Sequence, residues 1–320
     1  MSFFISIEGF DGTGKSTQSK LLKDGLDKEN KDSIIVREPG STNFSEKIRN
    51  IIKENTEIEI MTELLLFQTS RSELVSKVIK PNLDQGKIVI TDRYTDSSIA
   101  YQGYGRKLSI PLIESLITFI NCPVPNYSIL LDIPVDEGFA RKTNDDIDRI
   151  ESSSKAFFER VRKGYIKIAK DNKDRFIKIN ASLDIDQIHQ KIIKHIENKS
   201  EIEVLTPILL KAIKLLNESN KDITYVFHST KEYSSYIQTY ISKSALINCE
   251  IISDDKIKSH ILRKSIFAIA KSGTVSLEIS NFKIPSIILY KMNFINFLIV
   301  KMLVKTKFAN IINIAAKKEI

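Results

Sequence analysis

Nine residues near the start of the chain have the types and spacing of a loop that binds nucleotide phosphates. Segment 9–17 reads GFDGTGKST and fits the pattern G-x-x-x-x-G-K-[ST]. Glycines let backbone N–H groups converge on a phosphate, and the N-terminus of a following helix adds partial positive charge. Lys15 can reach the β- and γ-phosphates, and Ser16 can ligate Mg²⁺. The residues predicted to bind ATP phosphates are Gly9, Phe10, Asp11, Gly12, Thr13, Gly14, Lys15, Ser16 and Thr17.

Hydrophobic patterning places this loop between a strand and a helix. The apolar run over 3–7 predicts a buried strand, and leucines within 17–26 predict a helix. Further strands are predicted over 33–36, 87–91, 127–131 and 175–179, in alternation with helices. This alternation indicates an α/β fold with a parallel sheet and helices on both faces. Ligands of such sheets bind beyond the carboxyl ends of the strands. The polar residues that follow the strands are Arg37, Asp92, Arg93 and Asp132.

Three helix predictions bear on the organisation of the chain. The longest predicted helix covers 60–79 and is closed by Pro81. Two later helices are predicted over 185–196 and 205–216. Between them the charge balance shifts and the first strand–helix alternation ends. We therefore predict two domains, over 1–199 and 200–320.

Composition indicates a folded protein of ordinary type. The chain has 320 residues, of which 42% are hydrophobic and 28% are charged, so disorder is not expected. The net charge is +8, and residues 201–320 contribute most of it, with 17 basic against 10 acidic residues. A basic surface could attract nucleic acid, anionic lipid or a phosphorylated substrate. Codon bias toward lysine explains the excess equally well, and we do not predict a nucleic-acid partner.

Cysteine usage and the N-terminus favour a cytoplasmic location. Cys122 and Cys249 lack the spacing of a disulfide framework or a zinc site. The first residues carry no basic segment, and their apolar run leads directly into the phosphate loop. A signal peptide is therefore not expected.

Two residue pairs narrow the chemistry beyond phosphate binding. Asp92 and Arg93 follow a predicted strand, where the carboxylate could hold Mg²⁺ and the guanidinium could bind a phosphate. Phe67 and Arg71 are four residues apart on one helical face, so they could stack on a base and bind its edge. A structural salt bridge for the first pair and core packing for the second are the alternatives. Residues 143–148 are mostly polar and are a candidate lid.

Taken together, these motifs resemble thymidylate kinase over residues 1–198. The residues that carry the resemblance are the loop 9–17, Arg37-Glu38-Pro39-Gly40, Leu64 to Phe67 with Arg71, Asp92-Arg93-Tyr94 with Ser97, Ser98, Tyr101, Gln102 and Gly103, Asp148 to Glu151, and Phe157 to Arg162 with Tyr165. The resemblance implies transfer of the ATP γ-phosphoryl group to dTMP, with Mg²⁺ as cofactor and a homodimer as the assembly. Another P-loop nucleoside monophosphate kinase is the alternative.

The resemblance also implies a role for each site residue. Those implied to bind dTMP are Asp11, Arg37, Phe67, Arg71, Arg93, Ser98, Tyr101 and Gln102. Ser16 and Asp92 would hold the metal. The implied catalytic cations are Lys15, Arg93, Arg141, Lys142 and Arg149. Family members with a glycine at the position of Gly12 usually supply lid arginines to the transferring phosphate, and here the segment 141–146 contains one arginine.

The remainder of the chain resembles the C-terminal half of lipid-A-disaccharide synthase, a glycosyltransferase that uses a UDP-sugar. The resemblance is carried by Ser200 to Ile202, Leu205 to Leu210, Ala270 to Glu278, Pro285 and Tyr290-Lys291. It implies an incomplete Rossmann-like α/β domain in which Ser272, Gly273 and Thr274 open a helix toward UDP phosphates, beside Glu278. An acceptor-binding half is lacking, so we predict no transferase activity. The alternative role for this part is docking on anionic membrane through Phe294, Phe297 and Leu298.

Overall fold

The computed structural model describes residues 3–54, 57–141, 150, 153–219, 222–271 and 274–289. The chain divides into two compact units, Met1–Asn198 and Lys199–Ile320. The predicted lid over 143–148, the candidate membrane-docking residues Phe294, Phe297 and Leu298, and Ser272 and Gly273 lie outside the described residues.

Five parallel strands form one sheet within the described part of the first unit. The strands are β1 (Phe3–Glu8), β2 (Ser33–Arg37), β3 (Ile88–Asp92), β4 (Tyr127–Asp132) and β5 (Phe176–Asn180). Their order is β2-β3-β1-β4-β5, and every neighbouring pair is parallel. Residues 4–8 of β1 are all buried, which is typical of a central strand covered on both faces. The predicted fold class is confirmed.

The helices of this unit lie between its strands in sequence, except the last helix, which follows β5 and continues past Asn198. They are α1 (Lys15–Lys28), α2 (Asn43–Glu54), α3 (Ile60–Leu74) with a π-helical turn (Val75–Ile79), α4 (Lys80–Asp84), α5 (Thr95–Ser98) with a π-helix (Ile99–Gly105), α6 (Ile110–Phe119), α7 (Val135–Ala140), α8 (Lys155–Asp171) and α9 (Ile185–Ser219).

Two hydrophobic cores occupy the two faces of the sheet. Alternate residues of a strand point to opposite faces, and in β1 Phe4 belongs to one core while Ile5 belongs to the other. The smaller core includes Leu74 and the π-helical turn that follows α3. The larger core is completed by apolar side chains of α1, α8 and α9. Strand register also brings the ends of β1, β2 and β3 to one edge, since Asp92 pairs with both Ile7 and Arg37.

Three helical segments differ from the sequence predictions. Pro81 does not close the helix that begins at Ile60, because it lies in the first turn of α4, where its missing N–H is tolerated. The segment 95–105, for which no element was predicted, is helical and packs against α8. A Cβ at Gly105 would lie 2.6 Å from the Phe157 ring, so the glycine allows that close approach. The helices predicted over 185–196 and 205–216 are one helix, α9. It contains Pro207 but no glycine.

Two separate pairs of parallel strands make up the described sheets of the second unit. The strands are β6 (Tyr225–His228), β7 (Cys249–Ile252), β8 (Ala268–Lys271) and β9 (Ser286–Leu289), and the helices are α10 (Lys231–Ser244), α11 (Asp255–Lys264) and α12 (Thr274–Asn281). Sequence analysis missed α11, whose N-terminus is capped by the side chain of Asp254. None of the described helices is long and apolar enough to cross a membrane.

Candidate active site

The phosphate loop connects β1 to α1 and lies against helix α7. Gly9, Gly12 and Gly14 all have positive φ angles, of 141°, 81° and 89°, which glycine adopts at little cost. A Cβ at Gly12 would overlap the carbonyl oxygen of Gly138 in α7, and a Cβ at Gly138 would overlap the ring of Phe10. The packing of the loop on α7 therefore leaves no room for a side chain at position 12.

Lys15 is buried at the start of α1 with its ammonium group turned back into the loop. Its Nζ donates to the carbonyl oxygen of Phe10 at 3.0 Å and lies 3.8 Å from Oδ1 of Asp11. Burial lowers the pKa of Lys15, and the nearby Arg93 guanidinium lowers it further. The nearby carboxylates, chiefly Asp11, act in the opposite direction.

Arg93 joins the phosphate loop to the end of β3. Its backbone has a φ of 67°, and its Nη2 donates to Oδ1 of Asp11 at 2.6 Å. Its Nη1 donates to the carbonyl oxygen of Gly9 at 2.7 Å and to Oη of Tyr165 at 3.2 Å. Burial lowers the pKa of Arg93, but Asp11 and other partners, which include Asp92, outweigh this effect and hold the pKa well above the usual value. Two cations, Lys15 and Arg93, thus share the carboxylate of Asp11.

The two predicted metal ligands lie next to each other. Ser16 Oγ donates to Oδ2 of Asp92 at 2.5 Å. A hydroxyl and one carboxylate are a donor set that suits Mg²⁺, which usually retains waters and binds substrate phosphates besides one or two carboxylates. No group of three or more acidic, cysteine or histidine side chains suited to a metal occurs among the described residues. The hydroxyl of Ser16 and the carboxylate of Asp92 suit an ion that also binds substrate phosphates.

A cavity beside the loop gathers seven of the eight residues predicted to bind dTMP. These are Asp11, Phe67, Arg71, Arg93, Ser98, Tyr101 and Gln102, and the cavity is also lined by Glu38, Pro39, Arg49, Ile52, Lys53, Ser97 and Ile150. Arg37 is not part of this lining. It is 54% exposed and forms an ion pair of 2.9 Å with Glu46. The cavity reaches from the predicted base residues to Asp11 and Arg93 of the phosphate region.

Arg71 is buried because its guanidinium is fully bonded within the protein. Its Nε and Nη2 donate to Oε2 of Glu38 at 2.8 and 2.6 Å, and Nη2 also donates to the carbonyl oxygen of Tyr94. Its Nη1 donates to Gln68 and Ser98, each at 3.0 Å. All five N–H groups of the guanidinium are therefore used. A ligand carbonyl that accepts a hydrogen bond from Nη1 of Arg71 would replace Gln68 or Ser98, the two neutral partners of this nitrogen.

Two buried carboxylates fix the polar residues of this cavity. Glu38 holds Arg71, and burial raises the pKa of Glu38 although Arg71 lowers it. Glu63 accepts a hydrogen bond from Nε2 of Gln102 at 3.0 Å and forms an ion pair with Arg106 at 3.2 Å. Sequence analysis missed both carboxylates as site residues. Two signals were available: Glu38 lies within the motif Arg37-Glu38-Pro39-Gly40, and Glu63 lies four residues before Phe67 on the same helical face.

Tyr101 closes the cavity on the side of Asp11. Its ring is buried, its Oη donates to Oδ2 of Asp11 at 3.4 Å, and the Arg93 guanidinium lies 4.9 Å from the ring centroid. Burial raises the pKa of Tyr101 well above its usual value, so the hydroxyl keeps its proton.

The predicted catalytic cations separate into two groups. Lys15 and Arg93 lie together at Asp11. Arg141 donates instead to Oε1 of Glu137 and to the carbonyl oxygen of Ala181, both at 2.7 Å, and it does not line the cavity. Lys142 and Arg149 lie outside the described residues.

Comparisons with known proteins first identify relatives of residues 1–198. The family model described as thymidylate kinase matches residues 7–192. The chain belongs to the thymidylate kinase family. The thymidylate kinase of Kosmotoga olearia is 42% identical over 195 residues, which are 60% of this chain and 93% of that protein. The one from Fervidobacterium nodosum is 44% identical over 192 residues, with coverages of 60% and 96%. The crystal structure of thymidylate kinase from Ehrlichia chaffeensis aligns with a TM-score of 0.52 at 37% identity, over 61% of this chain and 98% of that one.

A second family model matches the rest of the chain. The model described as lipid-A-disaccharide synthetase matches residues 167–320 and so begins inside α8, upstream of the predicted start near 200. In the described part of this region, Glu278 forms an ion pair of 2.9 Å with Lys258, which also contacts Asp255 at 3.0 Å. The carboxylate expected at the UDP site is thus already held by a lysine.

Glu8 is a buried carboxyl group directly before the phosphate loop. Its Oε2 accepts hydrogen bonds from Ser97 at 2.7 Å and Tyr165 at 3.4 Å. Burial, with repulsion from Asp96, raises the pKa of Glu8 from 4.5 to about 8. The folded protein therefore holds this proton over a pH range in which the unfolded chain has lost it.

The pKa of Glu8 predicts a pH-dependent effect of Glu8→Gln on stability. The contribution of Glu8 is fully present below pH 4.5 and is lost as the pH rises to about 8, because over this range the folded state binds a proton that the unfolded chain has released. The substituted amide stays neutral, so the melting temperature of the variant relative to the parent should rise between pH 5 and 8.5. Thermal unfolding at both pH values measures this difference. Glu114→Gln, at an exposed position on α6, is the control, and an equal pH trend in both variants would contradict the assignment.

Proposed function

We propose that the protein transfers the γ-phosphoryl group of ATP to dTMP, giving dTDP and ADP. The observation that supports this most directly is the cavity that runs from Phe67, Arg71 and Gln102 to Asp11 and Arg93. Asp11 also lies 3.8 Å from Lys15 of the phosphate loop. An acceptor nucleotide in the cavity would therefore present its phosphate beside the donor site. Family membership favours this activity over that of another nucleoside monophosphate kinase.

Positioning and charge neutralisation would provide the catalysis, since phosphoryl transfer asks little covalent chemistry of the protein. Lys15 and the loop amides would hold the ATP phosphates. Arg93 would bind the dTMP phosphate from its position at Asp11. Ser16 and Asp92 would hold Mg²⁺, which supplies positive charge to the phosphates when bound.

The dTMP nucleoside would occupy the cavity beside α3. Phe67 would stack on the thymine, and Arg71 would donate to its O4 in exchange for Ser98 or Gln68. Ser98 and Gln102 would complete the base site, while Tyr101 would crowd a 2′-hydroxyl and so favour deoxyribose. Arg37 would reach the dTMP phosphate only after releasing Glu46, because the two form an ion pair in this structure.

Three residues are candidates for the cation that would assist phosphoryl transfer from the side of the predicted lid. The packing of Gly12 on Gly138 means that the loop supplies no arginine. Arg141 would have to exchange Glu137 for a phosphate. Lys142 and Arg149 are the other candidates.

The family resemblance supports the proposed assembly, and the cysteine usage supports the proposed location. We place the protein in the cytoplasm as a homodimer that uses ATP and dTMP and binds no nucleic acid. Exposed apolar side chains on α2 and α3, namely Phe44, Met61 and Leu65, support a partner-covered surface.

Residues 200–320 form, in our proposal, a partial glycosyltransferase-like domain without activity. The ion pair between Glu278 and Lys258 supports it, because a ligand would have to displace the lysine. Membrane docking of this part is the less favoured role.

Substitution of Arg71 tests the base site. Arg71→Lys keeps a positive charge beside Glu38 but loses the planar fork of donors. The KM for dTMP should rise about 10- to 100-fold, as expected for loss of a charged hydrogen bond, and the KM for ATP should change less than about twofold. Steady-state kinetics with each substrate varied measures both.

The matched control is Arg175→Lys. Arg175 forms a comparable ion pair with buried Asp96, also with two hydrogen bonds, but it does not line the cavity. An unchanged KM for dTMP in Arg71→Lys, or an equal rise in Arg175→Lys, would remove Arg71 from the base site.

Truncation tests the domain assignment. A chain that ends at residue 199 keeps Ile188 and Ile192, which pack in the larger core of the first unit. Its kcat/KM for dTMP should therefore stay within about threefold of the full chain. Circular dichroism and thermal melting verify that the shortened chain is folded. A folded truncation with at least a tenfold loss would make residues 200–320 a functional part of the kinase.

A further inference from the structure

Gln102 is held in one orientation by Glu63, a carboxylate on helix α3. The side chains of both residues are buried, and Nε2 of Gln102 donates to Oε1 of Glu63 at 3.0 Å. Arg106 forms an ion pair with the other carboxylate oxygen, Oε2, at 3.2 Å. An ionised carboxylate accepts hydrogen bonds but has none to donate. The nitrogen of the Gln102 amide must therefore face Glu63, since a flipped amide would place two oxygen atoms against each other.

This orientation determines what Gln102 offers to the cavity. Gln102, Phe67 and Arg71 all line that cavity. One N–H group of the amide is bonded to Glu63, so the amide oxygen points away from that carboxylate, and in the proposed role this oxygen meets the ligand. The cavity then presents a donor, Arg71, and an acceptor, Gln102, to the edge of a stacked base.

Thymine fits this order of donor and acceptor, and cytosine does not. Thymine has an acceptor at O4 and a donor at N3–H. Cytosine has an amino donor at C4 and an unprotonated acceptor at N3. A cytosine would therefore meet Arg71 with a donor and Gln102 with an acceptor, which leaves buried polar groups unpaired.

We propose that Glu63 is a positioning residue for base selection, which turns the oxygen of Gln102 toward N3–H of thymine and so excludes cytosine. The inference rests on the proposed function, because it takes Gln102 to face the base of dTMP. Glu63, Phe67 and Arg71 follow one another at four-residue spacing on α3. One helical face thus orients the amide, stacks on the base and binds its O4.

If Glu63 only stabilised the fold, its substitution would change nucleotide affinities in a different pattern. Uracil and thymine have the same hydrogen-bonding edge and differ only in a methyl group. Loss of the amide orientation should therefore change the ratio of dCMP to dTMP affinity but leave the ratio of dUMP to dTMP affinity unaltered. General loosening of the cavity would change both ratios.

Glu63→Gln in the full chain tests the proposal, because a glutamine can pair with either orientation of Gln102. Calorimetric titration would give the Kd for dTMP, dUMP and dCMP. We expect dTMP and dUMP to weaken equally, about three- to tenfold, and the preference for dTMP over dCMP to narrow about tenfold. The KM for ATP should not change. Glu73→Gln, the same substitution on α3 away from the cavity, should alter none of these values.

A double-mutant cycle shows whether Glu63 acts through Gln102. In a Gln102→Met background, Glu63→Gln should have no further effect on the dCMP to dTMP ratio. A full additional effect there, or an unchanged ratio in the single variant, would overturn the proposal. A parent protein that does not bind dTMP would refute the proposed function instead.

If the Glu63→Gln variant unfolds below the assay temperature, Arg106→Gln provides a second test of the proposal. It leaves the carboxylate in place without its counter-charge, which favours a protonated carboxyl that can donate to a flipped amide. The dCMP to dTMP ratio should shift in the same direction as for Glu63→Gln, and an unchanged ratio would overturn the proposal.

Discussion

The site depends on one carboxylate that two cations share. Oδ1 of Asp11 lies 2.6 Å from Nη2 of Arg93 and 3.8 Å from Nζ of Lys15. This residue of the phosphate loop therefore contacts both the residue that follows β3 and the first residue of α1. Like charges this close would repel each other in a buried site, and Asp11 offsets that repulsion. In the proposed reaction, these two positive groups would each face a phosphate.

Buried charges are also paired around the cavity that Phe67 and Arg71 line. Glu38 and Glu63 are almost fully buried, and each forms an ion pair with an arginine, Arg71 for Glu38 and Arg106 for Glu63. Arg71 itself lines the cavity, and Glu63 also holds Gln102, which lines it too. Breaking a buried pair by removing one partner typically costs about 3–5 kcal/mol, because the remaining charge is uncompensated. Such a framework is rigid before the ligand arrives, and rigid donors and acceptors lose little freedom on binding.

Local pattern was enough to predict the parts of the site that depend on neighbouring residues. The loop 9–17, the ends of β2 and β3, and the stripe of Phe67 and Arg71 all follow from spacing along one element. The buried partners could not be predicted in this way, because Glu38 is 33 residues from Arg71 and Glu63 is 39 residues from Gln102. Packing of distant elements also explains the π-helix over 99–105, which lies against α8, and the turn of Arg141 toward Ala181.

The central claim is that these paired charges select dTMP as the acceptor of a phosphoryl group. The most direct measurement is the initial rate of ADP formation by the full chain with ATP and Mg²⁺, using dTMP, dUMP, CMP and AMP in turn as acceptors. We expect kcat/KM to be higher for dTMP than for every other acceptor, and at least about tenfold higher than for CMP or AMP, since one mismatched hydrogen bond is worth about that factor. A higher kcat/KM for CMP or AMP would contradict it.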